Sequence, residues 1–262
     1  MIHYYLRMTF NRSKAYFISD LHLGASYFSN PRQAEQRVVA FLDSIKEDAA
    51  EIYLLGDVLD YWFEYRYAVP RGYVRFFGKL AELSDMGISI TWMIGNHDIW
   101  IFDYLPGELG VKVVDGSIVK QIMGKSFYLS HGDNVGERPL SFRIIRSVFR
   151  NRLCQQLYAS IHPRWTIPFA LGWSKSSRHK DIVTPPYLGK DKEPLMQFAE
   201  THAQSHTDID YYVFGHRHVL VKEQLSQGAQ AVILGEWISM FSYAVFDGNE
   251  LKLCKYEPEN ML

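Results

Sequence analysis

Five short stretches of this chain carry side chains suited to metal and phosphate chemistry. They are Ser19-Asp20-Leu21-His22, Gly56-Asp57, Gly95-Asn96-His97-Asp98, Ser130-His131-Gly132-Asp133 and Gly215-His216-Arg217-His218. Together they offer carboxylates, imidazoles and one amide, without a thiolate. That donor set suits divalent Mn, Fe or Zn in a reactive centre more than a structural cysteine site. Each motif alone has a plainer reading, because Gly-Asp forms turns, Asn-His-Asp can cap a turn and a lone histidine is more often a surface residue. Glycines 56, 95 and 215 let the backbone turn sharply and come close to bound atoms.

The elements that must position these motifs are legible as patterns of apolar residues. Ala15–Ser19, Glu51–Leu55 and Ile88–Ile94 are short apolar runs that read as buried strands. Between them, Asn30-Pro31 reads as a helix cap and first turn, with Val38, Val39, Phe41, Leu42 and Ile45 on one face. A second helix is expected from Gly72 to Ser84. Strand alternating with helix argues for parallel crossover units, and ligands in such folds gather at the C-terminal ends of the strands. All five motifs follow such ends, which packing alone does not explain.

Further along, strands are expected at Val111–Val114, Ser117–Ile122, Ser126–Leu129 and Tyr211–Phe214. Val219–Leu225, Ala229–Leu234, Met240–Phe246 and Glu250–Lys255 read as a meander. Two sheets packed face to face with helices outside is the architecture these elements predict. Leu140 to about His206 interrupts the strands as a helical segment, with Phe142, Ile145, Phe149, Leu153 and Leu157 at helical spacing. His202 and His206 stand four apart within it and read as surface or packing residues.

As an ordered set, the five motifs resemble those of the calcineurin-like metallophosphoesterase family, from about Ala15 to Phe246. The resemblance implies an α/β fold, a four-layer αββα sandwich. It implies a single domain over 1–262 with a helical cap inserted at about 138–206. It also implies two divalent metal ions, with Mn the expected metal and Fe or Zn as alternatives. Carried onto this chain, one metal takes Asp20, His22, Asp57 and His218, and the other takes Asp57, Asn96, His131 and His216. Two such ions activate water and neutralise charge on a phosphoryl group. His97 is expected to face the phosphate as charge stabiliser or proton donor, oriented by Asp98. Asn96 and His216 are expected to touch substrate as well. Asp133 either orients His131 or shapes the turn after it.

The cap narrows the choice of phosphate. Arg138 to Lys180 holds nine Lys or Arg and no Asp or Glu, in a chain whose net charge is -1. A basic block on an otherwise acidic body points to an anionic partner touched in one place. Phe142, Phe149, Trp165, Ile167, Phe169, Leu171 and Trp173 share the segment, so an anionic head group with fatty tails would fit it. A cap after the His-Gly-Asp motif is similar to the family branch that hydrolyses UDP-2,3-diacylglucosamine in lipid A biosynthesis. That similarity implies a lipid-linked nucleotide-sugar substrate, with Ser174, Arg178 and Lys180 as contacts. The dense run Tyr61, Trp62, Phe63, Tyr65 and Tyr67 is expected to wall an acyl or nucleobase pocket.

One departure from the branch is His97, where arginine is common. Histidine also suits a soluble phosphodiester or phosphatase substrate, which is the alternative enzyme reading. A non-catalytic metal-binding scaffold would lack ligands, and none of the seven is missing. A nucleic-acid partner is not expected, because half of the cap is apolar. The two cysteines, Cys154 and Cys254, give no disulfide framework and fit a reducing compartment. No signal peptide and no run of ~20 apolar residues is seen, so a cytoplasmic protein is expected, with a weak peripheral membrane contact through the cap.

Overall fold

The computed structural model describes residues 12–136, 140–178 and 186–257, without the side chains of 173–178. The first sheet has six strands in the order β11-β10-β1-β2-β3-β4. Here β1 is Lys14–Ile18, β2 Ala49–Leu55, β3 Ser89–Met93, β4 Lys112–Val114, β10 Ser242–Phe246 and β11 Leu251–Lys255. Strands β1 to β4 are parallel, while β10 runs antiparallel to β1 and to β11. The second sheet has the order β5-β6-β7-β9-β8. It comprises β5 Ile118–Ile122, β6 Lys125–Ser130, β7 Tyr211–Phe214, β8 Leu220–Gln224 and β9 Gln230–Leu234, with β6, β7 and β9 parallel.

Side-chain alternation along the strands builds four layers. Phe17, Tyr53, Met93, Phe127, Leu129, Val213 and Leu234 meet between the two sheets. Tyr16, Ile18, Ile52, Leu54 and Trp92 face the opposite way, under helices α1 (Pro31–Ile45), α2 (Val74–Asp85) and α3 (Tyr104–Leu109). Tyr212, Phe214, Ala231 and Ile233 pack beneath α7 (Pro194–Ser205) on the far side. The result is the αββα sandwich. Helix α1 forms where the residues dictate: Asn30 accepts the Gln33 N–H at 3.1 Å, Pro31 opens the first turn, and Ala34, Val38, Phe41, Leu42 and Ile45 are its buried face.

One expectation about the strands is corrected. The last four strands are not a meander but two hairpins, β8–β9 in the second sheet and β10–β11 in the first. Between them the chain crosses from one sheet to the other through a turn that the Glu236 carboxylate organises, accepting the N–H groups of Ser239 and Met240. The stretch after Leu140 is helical as expected, divided into several helices. Asn151 ends α4 (Leu140–Arg150) and caps α5 (Arg152–Ala159), accepting the N–H groups of Leu153 and Cys154. Helix α6 (Pro163–Arg178) follows. Helix α7 falls within the expected cap range, yet its Leu195, Met196 and Ala199 pack into the core of the second sheet.

Candidate metal centre

The parallel strands of both sheets end at one edge, and the five motifs meet there. After β1, Asp20 is fully buried and accepts the His216 N–H on Oδ2 at 2.9 Å. Its Oδ1 lies 3.2 Å from His218 Nε2 and 3.8 Å from His22 Nε2. The two Nε2 atoms are themselves 3.2 Å apart, so Asp20, His22 and His218 converge on one point. After β2, Asp57 Oδ2 stands 3.3 Å from His131 Nε2 and 3.9 Å from His22 Nε2, between that cluster and the next. The second cluster is Asp57, His131 and His216, with Asn96 Oδ1 3.2 Å from His131 Nε2. His131 Nδ1 is fixed by a bond to the Leu55 carbonyl oxygen at 2.7 Å, which directs Nε2 into the site.

The backbone is bent to achieve this. Asp20, His22, Asp57, His216 and His218 all have φ between 44° and 67°. Such conformations cost about 1–3 kcal/mol each in residues other than glycine. They survive because the rest of the sandwich fixes them. Gly95 and Gly215 have no room for a Cβ, since one would strike Asp57 and Ser19 respectively.

Burial alone would neutralise these groups, but their mutual charge wins. Burial pushes the His22 imidazole down, yet the nearby carboxylates of Asp20, Asp60 and Asp57 hold it at about 10. His131 is likewise held well above the ordinary histidine range by Asp57. Asp57, despite burial, is driven well below the carboxylate range by His131 and His97. The site is a sink for positive charge. Asp20 Oδ1 and His22 Nδ1 are buried without an aligned hydrogen-bond partner. The orphaned Asp20 Oδ1 lies in the first cluster, and the convergence of carboxylate and imidazole donors in two clusters fits two divalent cations.

The sequence profile of the calcineurin-like phosphoesterases matches residues 13–220. The chain belongs to that family. It is 45% identical over 254 residues to "UDP-2,3-diacylglucosamine hydrolase" of Porphyromonas gingivalis, covering 92% of this chain and 97% of that one. A Shewanella protein of the same name is 26% identical, covering 84% and 88%. Among solved structures, the Escherichia coli phosphoesterase Yfce aligns with a TM-score of 0.47 at 18% identity, covering 92% of each chain.

In this phosphoesterase His97 lies beside the two clusters, its ring 5.0 Å from that of His22. The expectation that Asp98 orients it is corrected. Asp98 is fully buried and accepts N–H groups from Val58 at 3.0 Å, Gly95 at 2.8 Å and Trp92 Nε1 at 3.1 Å, so it braces the loop itself. Burial, with Asp57 next, raises its carboxyl to about 6. Asp60 takes the orienting place: its carbonyl oxygen is 3.2 Å and its Oδ1 3.7 Å from His97 Nδ1. Its Oδ1 is also 3.7 Å from His22 Nδ1. The signal was a second carboxylate, Asp60, three residues after Asp57 and separated from it by the buried Val58 and Leu59.

A cavity of about 560 Å³ opens from Asn96 and His97 and runs beneath α4, past Ile145, Phe149, Cys154 and Phe169. Arg146 and Arg150 both line it, Arg146 bonded to the buried Asp133 and Arg150 to Asp115. Asp133 thus anchors the cap. Tyr61, Trp62 and Phe63 are buried, and only Tyr61 of the aromatic run reaches the cavity. Its hydroxyl meets that of Tyr158 at 3.1 Å, Tyr65 meets Thr166, and Trp100 donates Nε1–H to the Phe149 carbonyl oxygen at 2.9 Å. The run is therefore a platform for the cap, while Tyr67 stands outside at 88% exposure. His202, on α7, hydrogen-bonds Tyr212 of β7, away from the centre. Ser174 and Arg178 fall on α6, where side chains are outside the description, and Lys180 lies outside the described residues.

Proposed function

We propose that this phosphoesterase hydrolyses the diphosphate of UDP-2,3-diacylglucosamine to UMP and a diacylglucosamine 1-phosphate, in lipid A biosynthesis. The observation that carries the reading is the 45% identity to a hydrolase of that name along 97% of the latter's length. The apolar cavity beside the metal centre supports it, because a soluble nucleotide has nothing to fill about 560 Å³ under α4.

Asp20, His22, Asp57 and His218 would hold one divalent ion, and Asp57, Asn96, His131 and His216 the other, with manganese as the proposed metal. Two bound ions supply an activated water and a clamp for phosphoryl oxygens. Water adds to a phosphorus of the diphosphate and the bridging P–O bond breaks. Asn96 and His97 face the phosphoryl group from the β3 loop. With Nδ1 held by Asp60, proton exchange with the leaving phosphate falls to His97 Nε2. Arg146 neutralises the phosphate that enters the cavity mouth, and the acyl chains lie along Ile145, Phe149 and Phe169.

The cap also offers a peripheral contact with the cytoplasmic face of a membrane. No residue of α4 or α5 is buried, and Leu140, Ile144, Val148, Leu153 and Leu157 are exposed among Arg143 and Arg152. No helix among the described residues is long and apolar enough to cross a membrane.

Incubation of the protein and Mn²⁺ with acylated and deacylated UDP-glucosamine, with products identified by mass, tests the reading. UMP and diacylated sugar phosphate from the acylated compound are expected. Preference for the deacylated compound, or for small soluble diesters, would favour a nucleotide phosphodiesterase instead. Sedimentation with anionic vesicles, lost in a Leu153→Glu/Leu157→Glu variant, tests the membrane contact.

A further inference from the structure

Arg217 separates two of the candidate metal histidines, and its side chain leads away from them. Its Nε donates to Glu193 Oε1 at 2.6 Å and its Nη2 to Oε2 at 3.1 Å. Glu193 is fully buried, while 21% of the Arg217 side chain is exposed. The fork is thus bidentate and largely removed from water, the geometry in which arginine and carboxylate bind most strongly and lysine is no substitute.

Each end of this pair is attached to something that matters. Glu193 immediately precedes α7, whose Leu195 and Met196 are locked in the core of the second sheet. Leu195 also packs against Gly132, the residue after His131. At the other end, His216 and His218 adopt φ of 67° and 52°. The Arg217 N–H closes a tight turn on the Gly215 carbonyl oxygen at 2.8 Å. That turn sends the two imidazoles apart, His216 to the cluster with Asp57 and His131, and His218 to the cluster with Asp20 and His22. A rotation of the Arg217 peptide would displace both histidines at once, and left-handed backbone at two non-glycine residues relaxes unless it is held.

We propose that the Glu193–Arg217 pair is a positioning device for the metal centre, holding the turn that distributes one histidine to each metal. The idea rests on the two-metal reading above. Its consequence is that loss of the pair weakens both metals together, although neither residue touches either one.

The test is the metal content and Mn²⁺ affinity of the purified full chain, by atomic emission and calorimetry, for wild type, Glu193→Gln, Arg217→Gln and the double variant, with Tm measured alongside. Glu193→Gln should lower affinity at both sites by roughly 10–100-fold, the range seen when a group supporting a metal ligand is removed. The double variant should lose little more than either single one, because the two act as a unit. Glu193→Asp and Arg217→Lys keep the charges and cover the case in which the glutamine variants do not fold. They should be intermediate in metal affinity. Two metals bound with affinity within about twofold of wild type, in any folded variant of lowered Tm, would show an ordinary brace and overturn the proposal. Loss of one metal alone would overturn it too. A wild type that binds no metal would overturn the two-metal reading itself, and the proposal with it.

Discussion

The backbone N–H of His97 donates to Asp57 Oδ1 at 2.8 Å, so the carboxylate lying between the two candidate metal clusters also holds the loop that carries Asn96 and His97. Asp57→Ala therefore removes two things at once. Hydrolysis should fall to background, while circular dichroism stays that of a folded protein. Wild type at about 100-fold excess of Mn²⁺ over Kd should gain about 2.7 kcal/mol from each occupied site. The variant should show almost none of that thermal shift. Retained activity would remove the bridging carboxylate from the mechanism.

Asp60 and Asp98 flank the same loop and should fail differently when neutralised. Asp60 faces both His22 Nδ1 and His97 Nδ1. Asp60→Asn should lower kcat by about 10–100-fold and weaken metal binding, with a small change in Tm. Asp98 accepts three N–H groups in a fully buried place. Asp98→Asn turns an acceptor into a partial donor there and should lower stability by about 1–3 kcal/mol. Its folded fraction should retain near-normal kcat. The reverse pattern would restore Asp98 as the residue that orients His97.

Most of the centre was legible in the chain because its information is local. Asp20, Asp57, Asn96, His131 and His216 each follow an apolar run that could only be a buried strand, and parallel strands bring their ends to one edge. What escaped reading depends on contacts across long separations. Glu64 accepts the N–H groups of Phe102, Asp103 and Tyr104 and so starts helix α3, about 40 residues away, where the six-residue helix has little pattern of its own. The meander failed for a similar reason: hairpin turns are local, but which sheet a hairpin joins is decided by the pairing of β10 with β1. The aromatic run Tyr61 to Tyr67 could not be apportioned from sequence, because its partners Trp100, Tyr158 and Thr166 come from the β3 loop and the cap.

The raised imidazoles give the metal-free protein a characteristic pH response. His22 is held at about 10 against an unfolded value near ~6.5, so its contribution to stability is full below ~6.5 and is lost as pH rises towards 10. Metal takes the place of those protons and becomes easier to bind over the same window. The Tm difference between Mn²⁺-loaded and metal-free protein should therefore widen from pH 6.5 to pH 9. Converted to a difference in unfolding free energy, the gap should widen by about 1.4 kcal/mol per pH unit for each proton exchanged. Differential scanning fluorimetry with and without chelator measures it. A gap that stays flat would mean that these imidazoles do not exchange protons for metal.

The three arginines of α4 are not equivalent. Arg146 and Arg150 both line the cavity with Asn96 and His97, Arg146 bonded to buried Asp133 and Arg150 to exposed Asp115, whereas Arg143 is exposed and outside it. A clamp that includes Arg143 is therefore not expected; Arg146, tied to Asp133 two residues after His131, should carry the larger effect. Arg146→Gln should raise KM for a lipid-linked diphosphate by about tenfold, the scale of one charge-assisted hydrogen bond of about 1.5–3 kcal/mol. It should change KM for p-nitrophenyl phosphate esters much less, since these place little beyond the metal centre. Arg143→Gln should leave both unchanged. Asp133→Asn separates anchoring from contact: it frees Arg146 without removing its charge, so KM should rise less than in Arg146→Gln. Equal effects of Arg146→Gln on both substrate classes would place that arginine in the support of the cap, outside the recognition of phosphate.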